Sequence, residues 1–170
     1  MDVIDKARAA GRRILSEVDS RRLCEAYGIP LVPARPAAAA AEAVLAADEL
    51  GYPVVLKGFG PALAHKTEAG LVQLDLRTAA EVERAHAAVL ARGGAQLEGV
   101  LVQRMVRSGR ELVAGMKRDQ QFGPCVMFGL GGIFAETVGD VVFRVAPLQR
   151  RDATEMLGEL HGSRLLGAVR

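Results

Sequence analysis

The sequence predicts an α/β (α+β) fold of two small lobes, the first alternating helices with strands and the second carrying a mainly antiparallel sheet. Three observations lead there. Half of the 170 residues are apolar but only 4% are aromatic and none is Trp, so the core must be layered from Val, Leu, Ile and Ala. Before Gly94, alanine-rich stretches with capping residues alternate with β-branched runs. After it, four apolar runs are joined by links as short as RSG and QQFG, which suit an antiparallel meander.

The elements follow in order. Ser16 and Asp19 resemble a capping box, in which a serine oxygen and an acidic side chain satisfy the orphan amides of a helix start. That places a helix over Glu17 to Tyr27, with Leu23, Ala26 and Tyr27 on its buried stripe and Gly28 as its stop. Ile29 to Val32 reads as a short strand. Pro36, whose fixed φ suits a first helical turn, opens an alanine-rich helix from Ala37 to Leu50. PVVLK is a strand covered on both faces, GFGPALAHKTEAG a loop, and LVQLDL a strand. Thr78 and Glu81 form a second capping box for a helix to Arg92. The strands GVLVQRM, RELVAGMKRD, PCVMFG and VVFRVAP come next, then a helix from Arg151 to Leu160 with Asp152 at its positive end. The chain therefore divides into an N-terminal extension (1–15), a first lobe (16–105) and a second lobe (106–170).

Composition excludes several classes. The net charge is +2, and no Lys/Arg run is interleaved with aromatics, so nucleic acid is not an expected partner. No apolar run reaches the ~18 residues of a membrane helix, and the N-terminus lacks the apolar core of a signal peptide; the expected setting is cytoplasmic. Cys24 and Cys125 lack metal or redox spacing and read as buried free thiols.

Lys57, ending a buried strand, either carries its ammonium to the surface or meets a ligand. Its context favours the ligand. VQRMV, a short turn and a second strand carrying Glu111 form a hinge fit to clamp a flat ring, with backbone groups at Met105 and Val106 facing a purine edge. Glu111 can accept both hydroxyls of a ribose, leaving the phosphates to Lys57. His65 is either an exposed imidazole or, beside Lys66, a phosphoryl acceptor. His86 and His161 fall on expected helices and receive no role. The turn Gly129 to Gly132 is either a tight loop or an anion nest of unhindered amides. Arg144 either pairs a surface carboxylate or reaches a polyphosphate.

Six ungapped blocks, PVVLK, HKTEAGLV, GVLVQRMV, GRELVAGMKRDQQFGP, MFGLGGIFAETVGD and FRVAPL, resemble the ATP-grasp domain of ADP-forming acyl-CoA synthetases, also found fused in some bacterial protein acetyltransferases. The likeness runs in order from about residue 10 to the end. It implies the ATP-grasp fold, with ATP or ADP held between two lobes. Lys57 and Arg144 would then lie on the phosphates, Gln103 to Val106 on adenine, Glu111 on ribose and Gly131 and Gly132 on phosphate. His65 would be the phosphoryl carrier, and Glu136 a candidate near the metal or the phosphohistidine.

The resemblance also implies magnesium, whose ligands in that family lie in a strand reading E-x-D-I-N-P-L, after the last helix seen here. This chain ends before such a block. The metal ligands are therefore expected beyond residue 170, and a sheet edge left bare would invite a homodimer. Acyl and CoA chemistry would sit on a partner subunit or domain. The rival expectations are a non-catalytic nucleotide-sensing module, as in the acetyltransferases, and a carboxylate-amine ligase with no use for the HKT loop.

Overall fold

The computed structural model describes residues 2–60, 69–106, 109–132 and 139–167. They fall into two compact units, Met1–Arg107 and Ser108–Arg170. The first contains helices α1 (Val3–Ala9), α2 (Glu17–Ala26), α3 (Ala40–Leu50) and α4 (Ala79–Gly93), with strands β1 (Ala34–Ala37), β2 (Val54–Phe59), β3 (Val72–Leu76) and β4 (Gly99–Arg104). The second contains β5 (Leu112–Asp119), β6 (Gly123–Leu130), β7 (Val141–Val145) and helix α5 (Arg150–Glu159).

The first sheet runs β1-β4-β2-β3, antiparallel throughout, so the last strand made lies in the middle. Strand alternation divides its residues between two faces. Val54, Leu56, Val100 and Val102 meet Ala43, Ala46, Ala47 and Leu50 of α3 and Val82, Ala85 and Val89 of α4 in one apolar core. Val55, Lys57, Leu101 and Gln103 face the other way. There a crevice of about 210 Å³ separates Val18, Arg21, Arg22 and Glu25 of α2 from Ala34, Pro36 and Leu101. Both faces of β2 are thus covered, as its unbroken apolar run predicts.

Several expectations need correction. The strand expected at Ile29 to Val32 lies instead at Ala34–Ala37, and the following helix starts at Ala40 rather than Ala37. Pro36 is not in the helix but in β1, an edge strand, where a missing N–H costs no ladder bond on the open side. α2 buries none of its residues: of the expected stripe Leu23 is half-buried, while Ala26 is exposed and Tyr27 is 78% exposed. Ser16 Oγ accepts from the Asp19 amide as expected, but Asp19 turns to Arg12 and Arg22 instead of closing the box. Cys24 and Cys125 are free but only half-buried. α1, which the sequence reading left as an extension, is capped by Asp2. Asp75 takes φ +54° at a bulge in β3, a conformation Asp tolerates better than most residues.

In the second unit β5, β6 and β7 form an antiparallel meander, but the first of the four runs expected in it, GVLVQRM, lies instead as β4 in the middle of the first sheet, where its long apolar run finds cover on both faces. α5 lies over the face that carries Arg144 and buries Met156, and Leu160, just past its end, is buried as well. On the opposite face Phe143 and Val145 are exposed.

Asp140 anchors this unit. It is 4% exposed, and its carboxylate accepts from the amides of His161 and Gly162 at 2.9 and 2.8 Å, with His161 Nδ1 3.2 Å away. His161 itself lies just past α5 rather than on it. These donors, the Gly162 amide above all, hold the Asp140 carboxyl below its ordinary value despite burial. A depressed carboxylate stabilises the fold fully above its unfolded pKa of ~3.9 and loses that contribution as pH falls through the folded value. Melting temperature measured from about pH 5 down to about pH 2 should therefore drop more steeply for the parent than for Asp140→Asn. The Asn variant should be the less stable at neutral pH. Equal acid slopes would assign the effect to other carboxylates.

No helix among the described residues is long and apolar enough to cross a membrane.

Candidate functional site

In the first unit the site is built on the sheet face turned away from α3 and α4. β2 carries Lys57 and β4 carries Gln103, and the antiparallel register sets Lys57 opposite Leu101 and Val55 opposite Gln103, so the two polar residues are diagonal neighbours. Lys57 Nζ donates to Gln103 Oε1 and to Glu17 Oε1, both at 3.1 Å. Three side chains from α2, β2 and β4 thus converge over a sheet face that also carries Val55 and Leu101, both buried. The ammonium has three N–H donors, and two have partners among the described residues.

At the end of β4 the chain turns away from the sheet with most of its donors already committed. The Arg104 amide donates to Pro33 O, the Met105 amide to Pro53 O, and Arg104 Nε to Leu50 O. Met105 is half-buried and Val106 is 64% exposed. Met105 therefore has no amide left to donate to a ring edge; what it offers there is its carbonyl and its side chain.

In the second unit Glu111 stands immediately before β5, against the glycine turn that ends β6. The Gly131 amide donates to Glu111 O at 2.7 Å, and the Leu130 amide to Asp140 O at 3.1 Å. These bonds continue the sheet past its formal end and commit two of the amides of the Gly129–Gly132 turn. The glycines also serve close approach. A Cβ on Gly129 would lie 2.5 Å from Asp140 O, and one on Gly132 would lie 2.3 Å from Glu111 Oε2. Gly132, at φ +62°, therefore makes the space in which the Glu111 carboxylate rests.

Arg144 is paired with Glu159 of α5 through Nη2 and donates from Nη1 to Phe143 O. The Glu159 hydrogen bond chiefly raises the guanidinium pKa, and the same bond lowers that of Glu159. The pair with Glu159 is available because the last turn of α5 passes over β7.

His65, Lys66 and Glu136 lie outside the described residues. His86 is buried on α4, and its Nε2 has no partner among the described residues. No group of three or more His, Cys, Asp or Glu side chains suited to a metal occurs among the described residues. Sequence reasoning missed Glu17 and Asp140. No motif marks the first, since it meets Lys57 from 40 residues away. The second had only a Gly-Asp pair before a strand as a signal.

Comparisons with known proteins agree along the whole chain. Residues 6–170 match the family model described as the ATP-grasp domain. The beta subunit of acetate–CoA ligase [ADP-forming] I from Pyrococcus furiosus is 40% identical over 174 aligned residues, covering 99% of this chain and 75% of that subunit. A structure of the dinucleotide-forming acetyl-coenzyme A synthetase 1 of Ca. Korarchaeum cryptofilum, in complex with coenzyme A, Ca-AMPCP and HgCl+, superposes with a TM-score of 0.94 at 42% identity. It covers 99% of this chain and 76% of that one. A second structure of that enzyme, with coenzyme A and Mg-AMPPCP, has its phosphohistidine segment pointing towards the nucleotide-binding site. It superposes with a TM-score of 0.86 at 41% identity, covering 99% of this chain and 74% of that one.

Proposed function

The chain belongs to the ATP-grasp family, and from that premise we propose that it is the nucleotide-handling part of an ADP-forming acyl-CoA synthetase. The observation that carries the reading is the Lys57–Gln103 pair on an otherwise apolar sheet face, in a chain 42% identical to an acetyl-coenzyme A synthetase crystallised with a nucleotide analogue. In this reading Lys57 meets the phosphates, the segment from Gln103 to Val106 borders the adenine, and Glu111 accepts the ribose hydroxyls beside Gly132. Gly131 acts through its missing side chain rather than its amide, and Arg144 would reach a phosphate only by leaving Glu159.

The full reaction would convert acyl-CoA, ADP and phosphate reversibly into carboxylate, CoA and ATP, through an acyl phosphate and a phosphohistidine. His65 would carry the phosphoryl group at the nucleotide end. CoA and acyl chemistry would belong to a partner subunit or domain, a division supported by the relative's being a beta subunit. The proposed setting is the cytoplasm. Magnesium would neutralise the polyphosphate, but the described residues do not by themselves compose its site. The rival reading of a non-catalytic sensing module has no observation in its favour, since the compared relatives are ligases and synthetases.

Calorimetric titration with ADP tests the reading. The parent chain should bind, and Glu111→Ala should weaken binding by about 1.5 to 3 kcal/mol, the range for hydrogen bonds to a charged group. Unchanged affinity would remove Glu111 from the ribose. A parent chain that binds no ADP would overturn the reading itself.

A further inference from the structure

Glu17 is the first residue of α2, directly after the buried N-cap Ser16, and its carboxylate holds the Lys57 ammonium at 3.1 Å. The Glu17 and Lys57 side chains are 23% and 26% exposed, so neither is a freely solvated surface group. Exposed ion pairs contribute little to stability, but this one has a second feature. Since α2 buries none of its own residues, the Glu17–Lys57 contact and the 2.5 Å bond from Arg21 Nη2 to Val32 O are prominent among the bonds that seat it.

Resting on the reading of Lys57 as a phosphate ligand, we infer that Glu17 is a positioning residue for phosphate recognition: with Gln103 it fixes Lys57 Nζ and leaves the third N–H for the polyphosphate of a nucleoside diphosphate. Lysine carries as much rotamer freedom as any side chain, and an ammonium restrained before the ligand arrives loses less of it on binding. Two acceptors from different elements supply that restraint here. The carboxylate's charge cannot be its use, because a negative group beside a phosphate site repels the ligand. What it contributes is an acceptor oxygen at a fixed place, a role an uncharged amide can also fill.

Three chains titrated with ADP and with adenosine, which lacks phosphate, test the inference. Glu17→Ala should bind ADP about tenfold more weakly, the effect expected when a charged group loses a hydrogen-bonded support, and bind adenosine as the parent does. Glu17→Gln should restore ADP binding to the parent level or better, and both variants should melt cooperatively. Undiminished ADP affinity in Glu17→Ala would overturn the inference. So would parallel loss of ADP and adenosine, which would mean the residue supports the fold, and so would failure of Glu17→Gln to rescue. A parent chain that binds no ADP fails at the earlier step and overturns the nucleotide reading and this inference together.

Discussion

His65→Asn should abolish acid-labile, alkali-stable phosphate on this chain when the assembled enzyme is given magnesium and labelled ATP, while ADP affinity stays within about 1 kcal/mol of the parent. In the transfer, the bond between the γ-phosphorus and the β,γ-bridging oxygen breaks, a phosphorus–nitrogen bond forms to the imidazole, and ADP leaves. Asparagine keeps a polar side chain of similar reach but has no nucleophilic ring nitrogen. The sequence places Lys66 next to His65, and a neighbouring cation lowers the cost of bringing a negatively charged phosphoryl group to a neutral ring. Measuring ADP affinity and label together separates chemistry from folding: loss of both would make His65 a structural residue. Label persisting in the variant would move the carrier to another histidine, and absence of label in the parent enzyme, with its partner and acyl-CoA present, would end the carrier role altogether.

Leu56→Ala should have the largest effect on stability, about 2 to 5 kcal/mol by the range for large-to-small changes in a packed core. Leu56 is fully buried and shares its core with Val54, Val100 and Val102 on the sheet and with residues of both α3 and α4. Its neighbours are anchored from two layers, so the cavity cannot collapse readily. A loss of that size is a large fraction of the stability of a small domain, about 5 to 15 kcal/mol in all. Denaturant unfolding followed by circular dichroism would measure it. A shift below about 1 kcal/mol would mean that the core repacks around the cavity, contrary to the contacts described. Because Lys57 is the next residue on β2, the variant should also lose nucleotide affinity wherever the first unit is partly unfolded.

The sequence made most of the elements legible because the signals are local. Thr78 accepts from the Glu81 amide at the start of α4 as its spacing predicts, and Gly28 follows α2 at φ +70°. Where the outcome depended on distant partners, local reasoning failed. Pro36 reads equally well as a first helical turn or as an edge-strand residue, and only its pairing with Leu101 decides. Tyr27 looks like a stripe residue until the polar attachment of α2 is known. The site shows the same division. That Lys57 lies on a strand and Glu111 just before one was readable locally, whereas the commitments of the Met105 amide to Pro53, of the Gly131 amide to Glu111 and of Arg144 to Glu159 are facts of register and helix placement that no spacing encodes.

The strand order of the first unit also constrains how the chain is made. β4 lies between β1 and β2, yet it is the last of the four strands to leave the ribosome. Until Arg104 has emerged, a nascent chain can pair β2 with β3 but gives β1 nothing to pair with, and Lys57 waits without the strand that carries Gln103. Contacts between strands so far apart in sequence form slowly, and vectorial synthesis delays them further. The first unit is thus completed by a single late insertion, which fixes the sheet, its core and the lysine's acceptor at one moment.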